Sequence, residues 1–307
     1  MSKKRKALWV GLVLIVAAAP AYGWLFTEST VPSTGQFSID LAQLRALANS
    51  LPGEKPTEIR FEQVGSMKVP ITGVVAGAGW SETSLTFFAF QLRYPDHTAM
   101  IDSAMDRKTA EATGAKDFDD GAFARIGQAL AVADPIVLTH EHYDHIGGVT
   151  VQPNLKALMP RLKLTKEQLS VPKKMVPLVF PADALAGYVP LSYEKMTAVA
   201  PGVVLLKAPG HTPGTQLVFV QRADGAEYLF LGDVAWHWRN VAEVRTRARL
   251  VTLLIGEDRD GVLRQLQELH RLGKDEPKLQ LVPGHDQPRI EQLVAGGFLK
   301  AGFEVAR

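Results

Sequence analysis

Apolar positions along this chain fall into short runs that stop abruptly, interspersed with a few stretches of helical period. Pro135 to Thr139, Val203 to Leu206, Tyr228 to Leu231 and Leu279 to Val282 read as short strands, each followed closely by Gly, Pro, Asp or His. Thr57 to Val64, Val69 to Val75 and Leu85 to Leu92 are further strands, and Phe87, Phe88 and Phe90 in the last are expected in the core. Helical period appears over Ile39 to Ala48, with Ser38 as the cap, Leu41, Leu44 and Leu47 as the apolar stripe and Pro52-Gly53 behind it. A second helix opens at Asp258, carries Val262, Leu263, Leu266 and Leu269 on one side and is expected to stop at Gly273. Strands alternating with helices predict the α/β class. Residues 156 to 187 are proline-punctuated and carry Lys163, Lys166, Lys173 and Lys174, which reads as a covering loop or a substrate lid.

The longest apolar run lies at the N-terminus. Lys3, Lys4, Arg5 and Lys6 precede Ala7 to Ala19, and the run extends through Phe26 with Trp9 and Trp24 flanking it. Two readings follow: a cleaved signal peptide, with small residues at Ala21 and Gly23, or a retained membrane anchor. Either places the remaining chain across the inner membrane, anchored there or secreted to the periplasm. The expected division is residues 1–26 as signal or anchor, 27–65 as linker and N-terminal extension, and 66–307 as the catalytic domain. At 307 residues and 46% hydrophobic, the chain can bury one large core. Without the basic tetrad, 30 basic residues face 32 acidic ones, so the basic balance is an N-terminal feature and nucleic acid is excluded as a partner.

Chemistry concentrates where the short strands end. His140-Glu141-His142-Tyr143-Asp144-His145 runs into Gly147-Gly148, packing three imidazoles and two carboxylates into six positions. In an extended stretch His140, His142 and Asp144 share one face, while His145 points elsewhere and suits a second ion. The chain has no Cys, so imidazole and carboxylate are the donors, a set that suits Zn²⁺ or a similar ion such as Mn²⁺ or Fe²⁺. The later strands lead to His211 in Pro209-Gly210-His211-Thr212-Pro213-Gly214, to Asp233 after Gly232, and to His285 in Gly284-His285-Asp286. Five of the eight histidines occupy these slots, a placement that scattered core histidines would not show.

This ordered series resembles the metallo-β-lactamase superfamily over roughly residues 70 to 290, beginning with Asp102 at an early strand end. The resemblance implies an αββα sandwich with the site in a groove at one edge. It further implies that His140, His142 and His211 hold one ion, that Asp144, His145 and His285 hold the other, and that Asp233 bridges them. Asp102 is expected behind the ligands, holding an imidazole or a strand-end loop. The Gly-His-Thr-Pro-Gly and Gly-His-Asp segments look most like the lactonase branch, although that branch typically carries Tyr where Trp236 stands. The zinc β-lactamases generally carry another residue in place of Asp233.

The function so implied is hydrolysis of a small ester, lactone, amide or thioester, since two metal ions lower the pKa of a shared water toward about 7. Asp144 and Asp233 are the candidates to orient that water or relay a proton, with Asp144 favoured. Trp236 and His237 read as walls of a substrate pocket. The alternatives are a mononuclear iron oxygenase, a β-lactam hydrolase, and an envelope metal-binding protein with weak catalysis. Oligomeric state is not legible.

Overall fold

The computed structural model describes Arg5 and residues 18–304. Most of the expected signal or anchor, Ala7 to Val16, therefore lies outside the described residues. Among those described, no helix is long and apolar enough to cross a membrane.

Among the described residues, ten strands form two five-stranded sheets. The first has the order β10-β1-β2-β3-β4, built from Lys300–Ala301, Glu58–Pro70, Glu82–Arg93, Thr98–Ile101 and Ile136–Val137. The second has the order β5-β6-β7-β8-β9, built from Met196–Ala200, Val203–Lys207, Gln216–Gln221, Glu227–Gly232 and Gln280–Pro283. Both are mixed: β3 and β4 pair parallel in the first and β8 and β9 in the second, each beside antiparallel neighbours.

Strand alternation sorts the core into three layers. Ile59, Phe88, Phe90 and Leu92 of the first sheet meet Leu205, Val218, Val220 and Phe230 of the second, filling the space between the sheets. The opposite faces are covered by helices. Phe87, Ala89 and Met100 pack against Ile126 and Leu130 of the helix Asp120–Val132 and against Ile146 and Val149 of the helix Tyr143–Thr150. On the far side Leu206, Leu217, Phe219 and Leu229 pack against Leu44 of the helix Leu41–Ala48 and Val262, Leu266 and Leu269 of the helix Arg259–Asp275. This is an αββα sandwich, and all three phenylalanines of β2 lie in its core.

Several local expectations are corrected. β1 continues to Pro70, because a bulge between Gln63 and Gly65 resets its register with β2 and lets pairing resume past Val64. Val69 to Val75 is consequently not a separate strand: Pro70 cannot donate to a ladder, and Ile71–Val74 coil into one helical turn that buries Ile71 and Val74. Asp40, not Ser38, caps the first helix, its carboxylate accepting from the Gln43 amide at 2.9 Å. Gly273 does not end the late helix, which runs to Asp275; a Cβ there would meet Leu281 at 3.3 Å, so the glycine serves close helix–sheet packing. The boundary expected at 65/66 falls inside β1. Residues 27–35 also lie against the body: Arg259 pairs with Glu28 at 3.1 Å, and the Ser29 hydroxyl accepts from the Thr246 amide at 3.1 Å.

Candidate metal centre

The side chains singled out by sequence converge at one edge, beyond the C-terminal ends of β3, β4, β6, β8 and β9. His140 and His142 follow β4 in irregular backbone, and His142 is the N-cap of the helix Tyr143–Thr150. Asp144 and His145 are therefore helical. The expectation that His140, His142 and Asp144 share one face of an extended stretch is corrected by that change of backbone, which turns Asp144 toward the neighbouring group. Gly148 lets this helix sit down on the strand ends, since a Cβ there would lie 2.0 Å from the Ser103 carbonyl oxygen.

Two donor groups result. His140, His142, His211 and Asp233 offer atoms within 4.8 Å of one another, and so do Asp144, His145 and His285. In the first, His142 Nδ1 lies 3.1 Å from His140 Nε2 and 2.9 Å from His211 Nε2. Asp233 joins the two groups. Its Oδ2 faces His211 Nε2 at 3.3 Å and His140 Nε2 at 3.6 Å, whereas its Oδ1 faces His285 Nε2 at 3.1 Å and His145 Nε2 at 3.2 Å. Asp144 Oδ2 lies 3.7 Å from His285 Nε2 and 3.8 Å from His145 Nε2, and it is the more exposed member of its group.

The donor set fits divalent metal. His145 Nε2 and Asp233 Oδ1 are buried and complete no hydrogen bond among the described residues. A cation between them would meet both lone pairs, whereas leaving them unpaired costs about 1–3 kcal/mol each. Burial, reinforced by the neighbouring imidazoles, holds His140 and His142 well below the ordinary histidine range, so both rings are neutral donors. Burial would also depress His145 and His285, but the Asp233 carboxylate, helped by Asp102 beside His145, raises both. Asp233 is lowered well below its usual value: burial opposes this, but His285, His145 and His140 outweigh it.

Each group has its own support. Asp102, held in the left-handed region at φ 58, accepts from the Thr139 amide at 2.7 Å and contacts His145 Nδ1 at 2.8 Å. It occupies the place expected for it behind a candidate ligand. Thr139 Oγ1 also donates to Asp102 Oδ2 at 2.8 Å, and Gly232 leaves room for that threonine, because a Cβ on Gly232 would come within 2.7 Å of Thr139 Cβ. His285 Nδ1 contacts the Thr86 carbonyl oxygen at 2.9 Å, which leaves its Nε2 free to face the carboxylates.

His211 is held by a residue that sequence reading missed. Glu257 Oε2 lies 2.8 Å from His211 Nδ1 and forms a buried ion pair with Arg247, which also donates to the Asp233 carbonyl oxygen at 2.5 Å. Burial would raise Glu257, but Arg247 and His211 keep it below the ordinary carboxylate value. Nothing in Ile255-Gly256-Glu257-Asp258 resembles a ligand motif; a buried-acid argument would have needed the fold. Glu141, also unassigned from sequence, is fully buried, accepts from Thr212 Oγ1 at 2.7 Å and from the Gly214 amide at 3.2 Å, and is raised by burial. It ties the His140–His145 segment to the loop that carries His211.

The Trp236 indole donates to Asp233 Oδ2 at 2.6 Å, and its ring centroid lies 6.3 Å from that of His211 and 6.1 Å from that of His285. The Arg247 guanidinium covers the ring at 4.2 Å. The residue expected to wall a pocket here contacts the carboxylate that lies between the two groups. His237 is engaged differently, accepting from the Arg239 amide at 3.0 Å as a helix cap and facing Asp286 at 3.5 Å. The Tyr188 hydroxyl bridges backbone at Leu162 and Leu164, and His270 contacts the Val241 carbonyl oxygen, so neither joins the site.

The fold is an αββα sandwich with two histidine–carboxylate groups at one edge that could each hold a metal ion. Residues 88–155 match the family model described as the metallo-β-lactamase superfamily. Probable metallo-hydrolases of Mycobacterium bovis and Mycobacterium tuberculosis are each 29% identical over 191 residues, 55% of this chain and 59% of theirs. The match thus spans less than two thirds of those relatives. Among solved structures, a quorum-quenching N-acyl homoserine lactone lactonase aligns with a TM-score of 0.61 at 18% identity, covering 78% of this chain and 97% of that one. A probable metal-dependent hydrolase from Staphylococcus aureus aligns with a TM-score of 0.58 at 13% identity, covering 76% and 91%. At these identities the likeness is one of fold.

Proposed function

We propose that the protein is a dinuclear metal-dependent hydrolase, most naturally with zinc, acting on a small ester or lactone. The observation that carries this reading is the division of Asp233, one oxygen toward each donor group. His140, His142 and His211 would hold one ion and Asp144, His145 and His285 the other, with Asp233 shared. Metal held by these residues would supply an acidified water, its pKa brought toward about 7, and positive charge for the scissile carbonyl. The protein's own part is positional. Trp236 holds the carboxylate of Asp233 and Arg247 its backbone carbonyl, while Asp102 and Glu257 set the ring orientation of His145 and His211. Asp144, the least buried member of its group, is placed to take a proton from the attacking water and pass it to the leaving oxygen. The lactonase neighbours support a cyclic ester as substrate class, in a site where Trp236 supplies an indole N–H directed at Asp233. The N-terminal basic tetrad and apolar run support export, with this domain held at or beyond the outer face of the inner membrane.

The test is turnover of a panel containing a lactone, an acyclic ester and a cephalosporin before and after chelation. Turnover of at least one ester-type substrate, lost on chelation and restored by Zn²⁺, is expected. Turnover that persists unchanged in metal-free protein would overturn the reading.

A further inference from the structure

The helix Arg249–Ile255 is inverted relative to an ordinary surface helix. Its buried residue is Thr252, whereas Leu253 and Leu254 are 60% and 77% exposed and Leu250 lies at 36%. An amphipathic helix on a water-facing surface turns its leucines inward. Beside it, the π-helical turn Gly23–Thr27 places Trp24 under the Arg249 guanidinium at 4.7 Å. Tyr22, Phe26 and Trp80 form an aromatic group with centroids 5.3 to 6.4 Å apart, and the Trp80 indole donates to the Tyr22 hydroxyl at 2.9 Å. Trp24 and Trp80 are half exposed. Leucines, indoles, a phenol and a snorkelling arginine thus share one surface.

We infer that this surface, formed by Tyr22, Trp24, Trp80, Leu250, Leu253 and Leu254, rests in the interfacial layer of a lipid bilayer and holds the metal centre close to the membrane plane. The inference builds on the membrane reading of the N-terminal run. Lipid is the occupant because the uncharged stretch from Ala7 leads without interruption into the helical residues 18–22 and the Trp24 turn, so a bilayer holding that stretch meets the domain at this face. Tyr and Trp with polar handles are the side chains that settle at the headgroup level. The segment is also stitched to the domain. The Phe26 carbonyl oxygen accepts from the Gly77 amide at 2.8 Å, the Thr27 carbonyl oxygen accepts from Arg245 at 3.1 Å, and Glu28 pairs with both Arg249 and Arg259. The domain is therefore held in one orientation rather than swinging on a tether. Leu254 precedes Glu257 by three residues, so their Cα atoms are at most about 11 Å apart, and Glu257 touches His211.

The native chain has no Cys, which permits single-cysteine labelling of the full-length protein. Leu254→Cys and Val132→Cys, each carrying a polarity-sensitive fluorophore, are to be reconstituted in phosphatidylcholine/phosphatidylglycerol vesicles with and without lipids bearing a shallow nitroxide quencher. Val132 is also exposed but lies just before β4, at the opposite end of that strand from His140. The label at 254 should lose at least half its fluorescence to quencher lipid while the label at 132 is unaffected. Protein that floats with vesicles but shows no quenching at 254 would overturn this face while leaving the anchor reading standing. Cross-linking of two 254 positions in that state would give the surface to a second copy. Protein that stays out of the vesicle fraction would overturn the membrane reading and this face together.

Discussion

The two donor groups are built from the same residue types yet supported differently. Around His211 the support is a buried ion pair: Arg247 and Glu257 come from either side of the helix Arg249–Ile255, and Arg247 also reaches the Asp233 backbone. Around His145 it is a strand-end carboxylate, Asp102, clamped by Thr139 just beyond the next strand. The charge balance differs as well. His140 and His142 are pushed down by burial, while His145 and His285 are raised by carboxylates. The first group is thus a buried, imidazole-rich pocket backed by an ion pair whose loss would reach the fold itself. The second is richer in carboxylate and less buried at Asp144, so an ion held there should exchange faster.

Asp233 is where the comparison can be broken most severely, because both groups depend on it. Asp233→Ala should strip metal from both and lower kcat/KM by about 10³-fold or more, some 4 kcal/mol of transition-state stabilisation. Elemental analysis alongside kinetics checks this, and retention of both metals with near-normal turnover would refute the shared role. Next in size is Arg247→Met. Removing one partner of a buried pair leaves Glu257 uncompensated, so a loss of about 3 kcal/mol in unfolding free energy is expected. Denaturant titration measures it, and a change below about 0.5 kcal/mol would show the pair to be dispensable.

Smaller substitutions should separate the groups. Glu257→Gln should weaken the metal held by His140, His142 and His211 by about 10–100-fold, while Asp102→Asn does the same to the other ion. Competitive chelation resolves the two affinities; equal weakening of both sites by both variants would erase the distinction. A gentler probe is pH. In metal-free protein the Glu257 carboxyl is held below its ordinary value of 4.5 by Arg247 and His211, against the opposing effect of burial. A depressed carboxylate stabilises the fold fully above the unfolded value, and that contribution is lost as pH falls through the folded one. The wild-type melting temperature should therefore begin to lose this contribution only below about pH 4.5. With Arg247→Met burial is less opposed and the folded carboxyl rises, so this acid-side loss should shrink or reverse into a gain as pH falls, and coincident profiles would count against the pair.

Legibility from sequence divides along the same line as the two supports. Every proposed ligand was readable, because a short strand followed by Gly, Asp or His marks where a sheet presents side chains, and Asp102 was readable for the same reason. Glu257, Arg247 and Glu141 were not, since an acid after a helix or between two histidines looks solvated until the fold buries it. The bulge in β1 hid the length of that strand, because its two halves present different registers to β2. Asp144 was assigned to the wrong face because the motif changes from extended to helical backbone at Tyr143, a switch that spacing alone does not announce.

The central claim is that two metal ions share Asp233, and metal content per chain tests it most directly. Natively purified protein should contain close to two divalent ions, and His285→Ala should lose mainly one of them, the ion of the group less buried at Asp144, while the His140–His142–His211 ion stays. A single ion in the intact protein, unaffected by His285→Ala, would contradict the account.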